Sequence, residues 1–210
     1  MPHQVSDGPH PGNAHAVIDP LLRDRWSTRL FDPVHELFDD ELTRLFEAAR
    51  WAPSAGNSQP WAFVVGRRDD PTHRLLCGLL SRGNTSWAPQ ASALVVTLHQ
   101  ATDEWGGGTT LSDYAQYDLG QAVAHLSVQA ASMGLFTHQF AGFDHDGVAT
   151  GLRVPEHWRV TTMVAIGQRA TPEQVAEAPE SLRSREQEPR VRKEFAESVF
   201  GAWFGSPYGL

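Results

Sequence analysis

The chain has 210 residues, of which 40% are hydrophobic and 20% charged, and its formal net charge is −8. This length suits one α/β or α+β unit with a sizeable core, and the composition excludes disordered, collagen-like and coiled-coil chains. The acidic balance argues against nucleic acid as a partner, and a single cysteine excludes a disulfide framework. Apolar runs fall far short of the roughly 20 residues that span a bilayer, and no secretory signal opens the chain. We therefore expect a soluble, cytoplasmic protein without a membrane partner.

The N-terminal residues 1–18 contain proline, glycine and histidine without an apolar period, and we interpret them as a flexible arm. A single domain is expected to span 19–210. Its first predicted helix is amphipathic, because apolar side chains recur three and four positions apart. Asp39 or Asp40 is the expected N-cap, and Pro53 follows the end of this helix.

Three apolar segments predict buried strands, and two further segments predict helices. The strands are Trp61–Val65, which Gly66 is expected to end, Ala93–Leu98 and Val160–Ile166. The helices are Pro71–Leu80 and Tyr117–Met133, the second ended by Gly134. The longer helix is expected to be nearly all buried, because its small side chains let other helices approach closely. A C-terminal apolar patch is expected to wrap another subunit, and it consists of Phe195, Val199, Phe200, Trp203 and Phe204.

No sequence motif for a nucleotide phosphate cradle, a zinc protease or a serine hydrolase occurs in the chain. The Gly106–Gly108 run follows no apolar strand, and we interpret it as a flexible loop or lid. His125 falls within the predicted buried helix and is expected to be a core histidine. Cys77 has no sequence neighbour whose charge would lower its pKa, so we expect an inert, half-buried thiol.

The segment Arg25-Trp-Ser-Thr-Arg29 places two guanidinium groups four residues apart with a hydroxyl group between them. In a helix both arginines would share one face, and like charges there repel unless an anion lies between them. A binding segment for a phosphate or another anionic group is one interpretation. A solvated basic turn is the other.

Two further segments are rich in groups that can hydrogen-bond a ligand. Residues 52–61, Ala-Pro-Ser-Ala-Gly-Asn-Ser-Gln-Pro-Trp, combine turn formers with side-chain amides just before a predicted strand. The alternative is an ordinary helix-to-strand connection. His138–Asp144 follows the long helix, and Gly142 within it would let a backbone N–H group approach a ligand closely.

Together these segments resemble the nitroreductase family of FMN-dependent oxidoreductases. The resemblance rests on R-x-S-x-R-x-F at 25–31, A-P-S-A-G-N-S-Q-P-W at 52–61, Gly83-Asn84 followed by Trp87, the small-residue helix from Asp118, and A-G-F-D at 141–144. The order and spacing of these motifs agree with the family. The resemblance covers roughly residues 20–200.

The resemblance implies which residues at the start of the domain bind FMN. The family's first flavin-binding segment corresponds to Arg25, Trp26, Ser27 and Arg29. In the family its arginine and serine grip the phosphate, and its last basic residue, here Arg29, lies near the pyrimidine end of the flavin ring. A loop that reaches the flavin from the partner subunit corresponds to Pro53, Ser54, Ala55 and Asn57.

Further positions match later parts of the family's flavin site. Asn84 matches an amide that hydrogen-bonds the flavin ring, and Ala141 and Gly142 match the backbone that faces the flavin atom N5. Basic residues near the C-terminus complete the phosphate site in the family. Arg190 and Arg192 are their match here, with Arg183 and Arg185 as a competing match.

The resemblance implies an α+β fold with a central, mainly antiparallel sheet wrapped by helices, in a domain-entwined homodimer with FMN at the interface. It implies hydride transfer from NAD(P)H through N5 of FMN to nitroaromatics, quinones or similar small acceptors by ping-pong kinetics. No catalytic side chain and no metal are expected, while Arg29 would tune the flavin. The alternatives are a flavin-dependent dehydrogenase of a biosynthetic intermediate and a non-catalytic flavin-binding or sensing protein.

Overall fold

The computed structural model describes residues 18–102 and 113–209. Within these two ranges, no helix is both long and apolar enough to cross a bilayer. The predicted Gly106–Gly108 loop, and all of the predicted N-terminal arm except Ile18, lie outside the described residues.

Two compact units divide the chain. One unit spans Pro20–Glu186, and the residues from Gln187 onward belong to the other. The second unit contains a short 3₁₀ turn, Phe195–Glu197, and a backbone bridge between Phe200 and Pro207. The assignment of 19–210 to a single domain stays a prediction.

An antiparallel sheet lies at the centre of the larger unit. Its strands are β1 (Trp61–Arg67), β2 (Ala93–Gln100), β3 (Phe136–Phe140) and β4 (Trp158–Gly167), in the order β1-β2-β4-β3. Neighbouring strands all pair antiparallel, and the two middle strands are the most buried. The α+β fold with an antiparallel sheet is therefore confirmed, as far as one chain can show it.

Helices and two apolar clusters cover the sheet. The helices are α1 (Pro20–Asp24), α2 (Asp39–Arg50), α3 (Pro71–Gly78), α4 (Ala115–Ser132), α5 (His145–Gly151), α6 (Pro172–Glu177) and α7 (Glu180–Gln187). Successive side chains of a strand point to opposite faces, so β2 contributes Leu94 and Val96 to one cluster and Ala93 and Val95 to the other. The second cluster also takes the apolar faces of α2 and α4, while the first surrounds the fully buried Trp87.

The predicted ends of the first elements differ from the structure. The N-cap of α2 is Phe38 rather than Asp39 or Asp40, and its backbone N–H donates to the Glu41 carboxylate at 2.9 Å. Gly66 lies inside β1 and does not end it. A Cβ atom at this position would lie 2.6 Å from the backbone nitrogen of His73, so glycine is needed there for close packing against α3.

Sequence patterns also missed one strand and misjudged the long helix. β3 lies where we predicted only a connecting segment, because it is short and carries the polar pair His138-Gln139. Gly134 ends α4 as predicted, with a φ of +74°. The expectation that α4 is nearly all buried is wrong for this chain, since Tyr117, Gly120 and His125 are exposed. His125 is therefore not a core histidine.

Candidate functional site

The arginine-containing segment is not helical. It leaves α1 after Asp24 and continues without regular secondary structure to Leu30. Thr28 and Leu30 are buried, whereas Ser27 is exposed and Arg29 is half-buried, so burial alternates with the two-residue period of an extended chain. Ser27 and Arg29 thus share a side through this alternation and not through a helical turn. The Arg25 guanidinium donates to the Ser27 hydroxyl at 3.1 Å.

A buried carboxylate, Glu186, organises the other side of this segment. Its side chain is only 3% exposed and pairs with the Arg169 guanidinium at 3.0 Å. It also accepts hydrogen bonds from the Trp26 indole N–H at 3.0 Å, the Thr28 hydroxyl at 3.0 Å and the Arg29 backbone N–H at 2.7 Å. The sequence analysis missed both Glu186 and Arg169. Nothing in the local sequence connects α7 with residues so far away in the chain.

Arg29 lies beside an aromatic cluster built on Trp87. Its guanidinium carbon is 6.0 Å from the centroid of the Trp87 ring, which is within reach of a cation–π contact. The His138 ring packs against the same indole with a centroid separation of 4.4 Å. His138 Nδ1 lies 2.8 Å from the Thr28 carbonyl oxygen. Because a carbonyl can only accept, Nδ1 carries the proton in this contact.

The burial of His138 predicts a loss of stability in acid. Desolvation lowers its pKa in the folded chain, although the Thr28 hydrogen bond opposes this effect. The unfolded chain takes up the proton first as the pH falls below about 6.5, so the free energy of unfolding falls from there through the lowered pKa. We expect His138→Asn, which keeps an N–H donor but cannot titrate, to lose less stability than the wild type between pH 7.5 and 5.

Urea unfolding at the two pH values measures this difference. Burial also lowers the pKa of His73 and of His99, so the variant should keep part of the acid sensitivity. His157→Asn, outside both α4 and the candidate site, is the matched control and should lose as much stability as the wild type does. An equal loss of stability in His138→Asn and the wild type would contradict the assignment to His138.

Asn84 and Gly142, both predicted at the flavin site, contact each other directly. The Asn84 amide donates to the Gly142 carbonyl oxygen at 2.9 Å, and its own oxygen accepts from the Trp87 indole at 3.1 Å. A Cβ atom on Gly142 would lie 2.6 Å from the Asn84 amide nitrogen and 2.7 Å from the Ser81 hydroxyl. A side chain at position 142 would therefore displace the Asn84 amide or the Ser81 hydroxyl. Ala141, the predicted neighbour facing N5, is exposed.

The loop after α2 forms a tight turn with several exposed side chains. Ala55–Asn57 is a 3₁₀ turn, in which Gly56 and Asn57 have φ values of +58° and +55°. Pro53 and Asn57 are exposed, and Ser54 accepts a hydrogen bond from the backbone of Gln59 at 3.0 Å. The backbone N–H of Ala55 donates to the carboxylate of Asp118 at 3.0 Å. This turn is anchored to α4, whereas the arginine segment is anchored to Glu186.

The anchoring residue Asp118 was missed as a site residue, although it opens the helix that carries the family pattern. It is 2% exposed and lies in the first turn of α4. Its position before a run of small residues was the available sequence signal. A buried acidic side chain at a helix start often accepts hydrogen bonds from nearby backbone N–H groups.

The basic residues near the C-terminus are divided between the two units. Arg190, half-buried, and Arg192, exposed, belong to the smaller unit. The competing pair lies on α7, where Arg183 donates to the backbone oxygen of Ala176 at 2.9 Å and Arg185 is exposed. Which pair completes a phosphate site stays a prediction.

Cys77 has the properties expected of an inert thiol. It is partly buried, and its sulfur lies 3.6 Å from Nδ1 of His73. Burial raises the pKa of the Cys77 thiol to about 11, and the nearby Asp69 carboxylate acts in the same direction. The thiol is therefore protonated at neutral pH and a poor nucleophile.

Comparison with known proteins identifies the family. The sequence pattern of the nitroreductase family matches residues 22–76, which include the arginine segment and the Pro53–Asn57 turn. A solved oxidoreductase that contains FMN superposes with a TM-score of 0.85 at 32% identity, over 96% of this chain and all of that one. The chain belongs to the nitroreductase family. The resemblance drawn from the sequence is therefore confirmed.

The curated proteins that this chain resembles carry different names. An uncharacterized 15.4 kDa protein of Mycolicibacterium smegmatis is 37% identical, over 69% of this chain and 98% of its own length. An oxygen-insensitive NADPH nitroreductase of Helicobacter acinonychis is 27% identical, over 71% and 86%. A 5,6-dimethylbenzimidazole synthase of Rhodospirillum rubrum is 29% identical, over 71% and 81%.

Proposed function

We propose that this member of the nitroreductase family is an FMN-dependent oxidoreductase that passes a hydride from NAD(P)H through FMN to nitroaromatics, quinones or similar small acceptors. The observation that carries the proposal is the alternating segment of Arg25, Ser27 and Arg29, held from behind by a buried carboxylate. Two guanidinium groups and a hydroxyl on one side of an extended chain suit a phosphorylated, electron-accepting ring. The names of the relatives support both the cofactor and the donor.

The residues present fit FMN by the chemistry of their donors. Arg25 and Ser27 already contact each other at 3.1 Å and would bind the phosphate together. Arg29 would place its charge at the pyrimidine end of the ring, and the Ala141–Gly142 backbone would face N5. The Asn84 side-chain amide has two N–H groups, and one of them donates to Gly142. The other would donate to the flavin ring. Bound FMN supplies a hydride acceptor and donor at N5.

The protein's own part in the reaction is to bind, orient and polarise. Arg29 would stabilise the negative charge that accumulates near the pyrimidine ring on reduction, because a preplaced cation needs no reorganisation during the reaction. Trp87 lies on one side of its guanidinium, and His138 packs against Trp87. No side chain has to act as an essential acid or base, and donor and acceptor would occupy the same cleft in turn.

We further propose that a second copy of the chain completes the site. The Pro53–Asn57 turn and the arginine segment have separate anchors, which suits two segments that serve one flavin from different subunits. The exposed side of α4 carries Tyr117, which is 68% exposed, next to Gly120. Exposed aromatic residues of the smaller unit, Trp203 and Phe204, would wrap the partner. The cytoplasmic location stays a prediction from the sequence.

The absorption spectrum of the purified protein tests the proposed function. We expect yellow protein that releases FMN, rather than FAD, on denaturation, and we expect the flavin absorbance to bleach when NADPH is added without oxygen. Steady-state oxidation of NADH and NADPH with a panel of acceptors then measures turnover. Colourless protein that cannot be reconstituted with FMN would overturn the proposal. A flavin that neither nucleotide reduces would favour a sensing role.

A dehydrogenase of a biosynthetic intermediate is the second candidate. The observation that favours it is the similarity to 5,6-dimethylbenzimidazole synthase, a relative named for a biosynthetic product. The pair His138-Gln139 departs from the commonest form in the family, which leaves the choice of substrate open. Under this function the acceptor panel would give little turnover even though NADPH or light reduces the flavin.

A further inference from the structure

We propose that Glu186 is a positioning residue for FMN, because its buried carboxylate fixes the chain between Trp26 and Leu30 so that Arg25, Ser27 and Arg29 all face the cofactor. This inference rests on the proposed function, since it concerns residues expected to bind FMN. Glu186 takes no part in the motifs that carry the resemblance to the family. It lies near the end of α7, far away in the sequence.

Each oxygen of this carboxylate accepts two hydrogen bonds. The Thr28 hydroxyl and the Arg29 backbone N–H donate to Oε1, while the Trp26 indole and the Arg169 guanidinium donate to Oε2. A carboxylate can take up all four donors because it is an acceptor only. Three of the four belong to the arginine segment, and Arg169 balances the buried charge. Three hydrogen bonds to one buried carboxylate thus hold the arginine segment in place.

The direction of Arg29 follows from the two peptide units on either side of its Cα atom. Its N–H group donates to Glu186 at 2.7 Å, and the carbonyl of the same peptide, which belongs to Thr28, accepts from His138 at 2.8 Å. Since a peptide unit is planar, holding both of its polar groups fixes its orientation. The next peptide unit is held as well, because the Leu30 backbone N–H donates to the Thr28 hydroxyl at 3.0 Å. With the peptide units on both sides of its Cα atom held, the Cα–Cβ direction of Arg29 is set.

A positioning role and a purely electrostatic role of Glu186 predict opposite changes in FMN affinity when the residue is removed. A negative charge close to the arginine segment opposes the binding of a phosphate group that carries about two negative charges at neutral pH. If Glu186 acted only through its charge, its removal would tighten FMN binding. If it positions the segment, its removal must weaken FMN binding, because Arg25 and Ser27 are no longer held on one side.

Titration of the apoprotein with FMN and with riboflavin, followed by flavin fluorescence, separates the two roles. Glu186→Gln removes the charge and replaces one acceptor oxygen by a donor, whereas Glu186→Asp keeps the charge and withdraws the carboxylate by one methylene group. We expect the Kd for FMN to rise at least tenfold in both variants. We also expect the preference for FMN over riboflavin to fall, because the loss falls mainly on the phosphate contacts.

Glu177→Gln is the control, since Glu177 lies at the end of α6 and is exposed. It should bind both flavins as the wild type does. Thermal unfolding of the apoproteins accompanies each titration, and an equal loss for both flavins would indicate general destabilisation and overturn the positioning role. So would unchanged or tighter FMN binding in both Glu186 variants. Wild-type apoprotein that binds neither flavin would instead overturn the proposed function, and this inference with it.

Discussion

Gly120→Arg is expected to abolish both the proposed dimer and the bound flavin. Gly120 lies on the exposed side of α4, and a Cβ atom there would meet no atom of this chain within 4 Å. In a monomer the change should be harmless, because arginine is a better helix former than glycine by roughly 0.5–1 kcal/mol. In the proposed dimer the guanidinium would be forced against the partner, and the steric clash together with the desolvation cost of the charge disfavours association.

Light scattering with simultaneous absorbance at the flavin band measures mass and cofactor content together. The matched control is Gly78→Arg at the end of α3, where a Cβ atom also meets nothing within 4 Å. The control should keep dimer and flavin. A flavin-loaded monomer of Gly120→Arg would contradict a site completed by two subunits. An unchanged dimer would show that this side of α4 is not the interface.

Arg25→Ala and Arg29→Ala are expected to impair different properties of the flavin site. Loss of a charge-assisted hydrogen bond to the phosphate costs about 1.5–3 kcal/mol, so Arg25→Ala should weaken FMN binding roughly 10- to 150-fold. The midpoint potential of the flavin bound to this variant should change little, because the phosphate is remote from the redox-active atoms. Binding loss without a potential change is the result expected of a residue that only holds the cofactor.

Arg29→Ala should instead lower the midpoint potential. Its charge stabilises the anionic reduced flavin more than the neutral oxidised flavin, by on the order of 1–3 kcal/mol. For a two-electron couple about 30 mV corresponds to 1.4 kcal/mol, so we expect a decrease of tens of millivolts and slower hydride transfer from NAD(P)H.

Redox titration and stopped-flow reduction of the flavin-loaded variants measure both effects. Arg23→Ala is a suitable control, because Arg23 is a neighbouring arginine on α1 whose side chain is 51% exposed and paired with Asp24. An unchanged potential in flavin-loaded Arg29→Ala would exclude the tuning role. If all three variants behave as the wild type does, the segment is the solvated basic turn that the sequence also allowed.

Local patterns predicted the sheet and the long helix because both depend on short-range periodicity. Ala93–Leu98 is apolar on both faces, and β2 indeed occupies the middle of the sheet. β3 was missed because His138 and Gln139 interrupt its apolar character. Only the structure shows that His138 is half-buried against Trp87. Gly66 was interpreted as a strand end because nothing in the sequence indicates how closely α3 approaches β1.

The sequence predicted separate segments of the candidate site but not how these segments are held in space. The arginine segment and the Asn84–Gly142 region carry family motifs, and the structure brings Asn84 and Gly142 into contact. Glu186 could not be predicted, because a buried carboxylate is recognised by donors that fold around it and not by its sequence neighbours. The exposed side of α4 was misjudged for a related reason. Small residues indicate close packing but do not indicate whether the packing partner belongs to the same chain.

Main-chain groups fix both segments expected at the flavin. Asp118 holds the Pro53–Asn57 turn through the N–H of Ala55, and Glu186 and His138 hold the arginine segment through one peptide unit. Every amino acid except proline offers such an N–H group. The outward side chains can therefore be exchanged during evolution while the backbone keeps its course. A chain built in this way can change how it binds and tunes the flavin by single codon changes, with little risk to its fold.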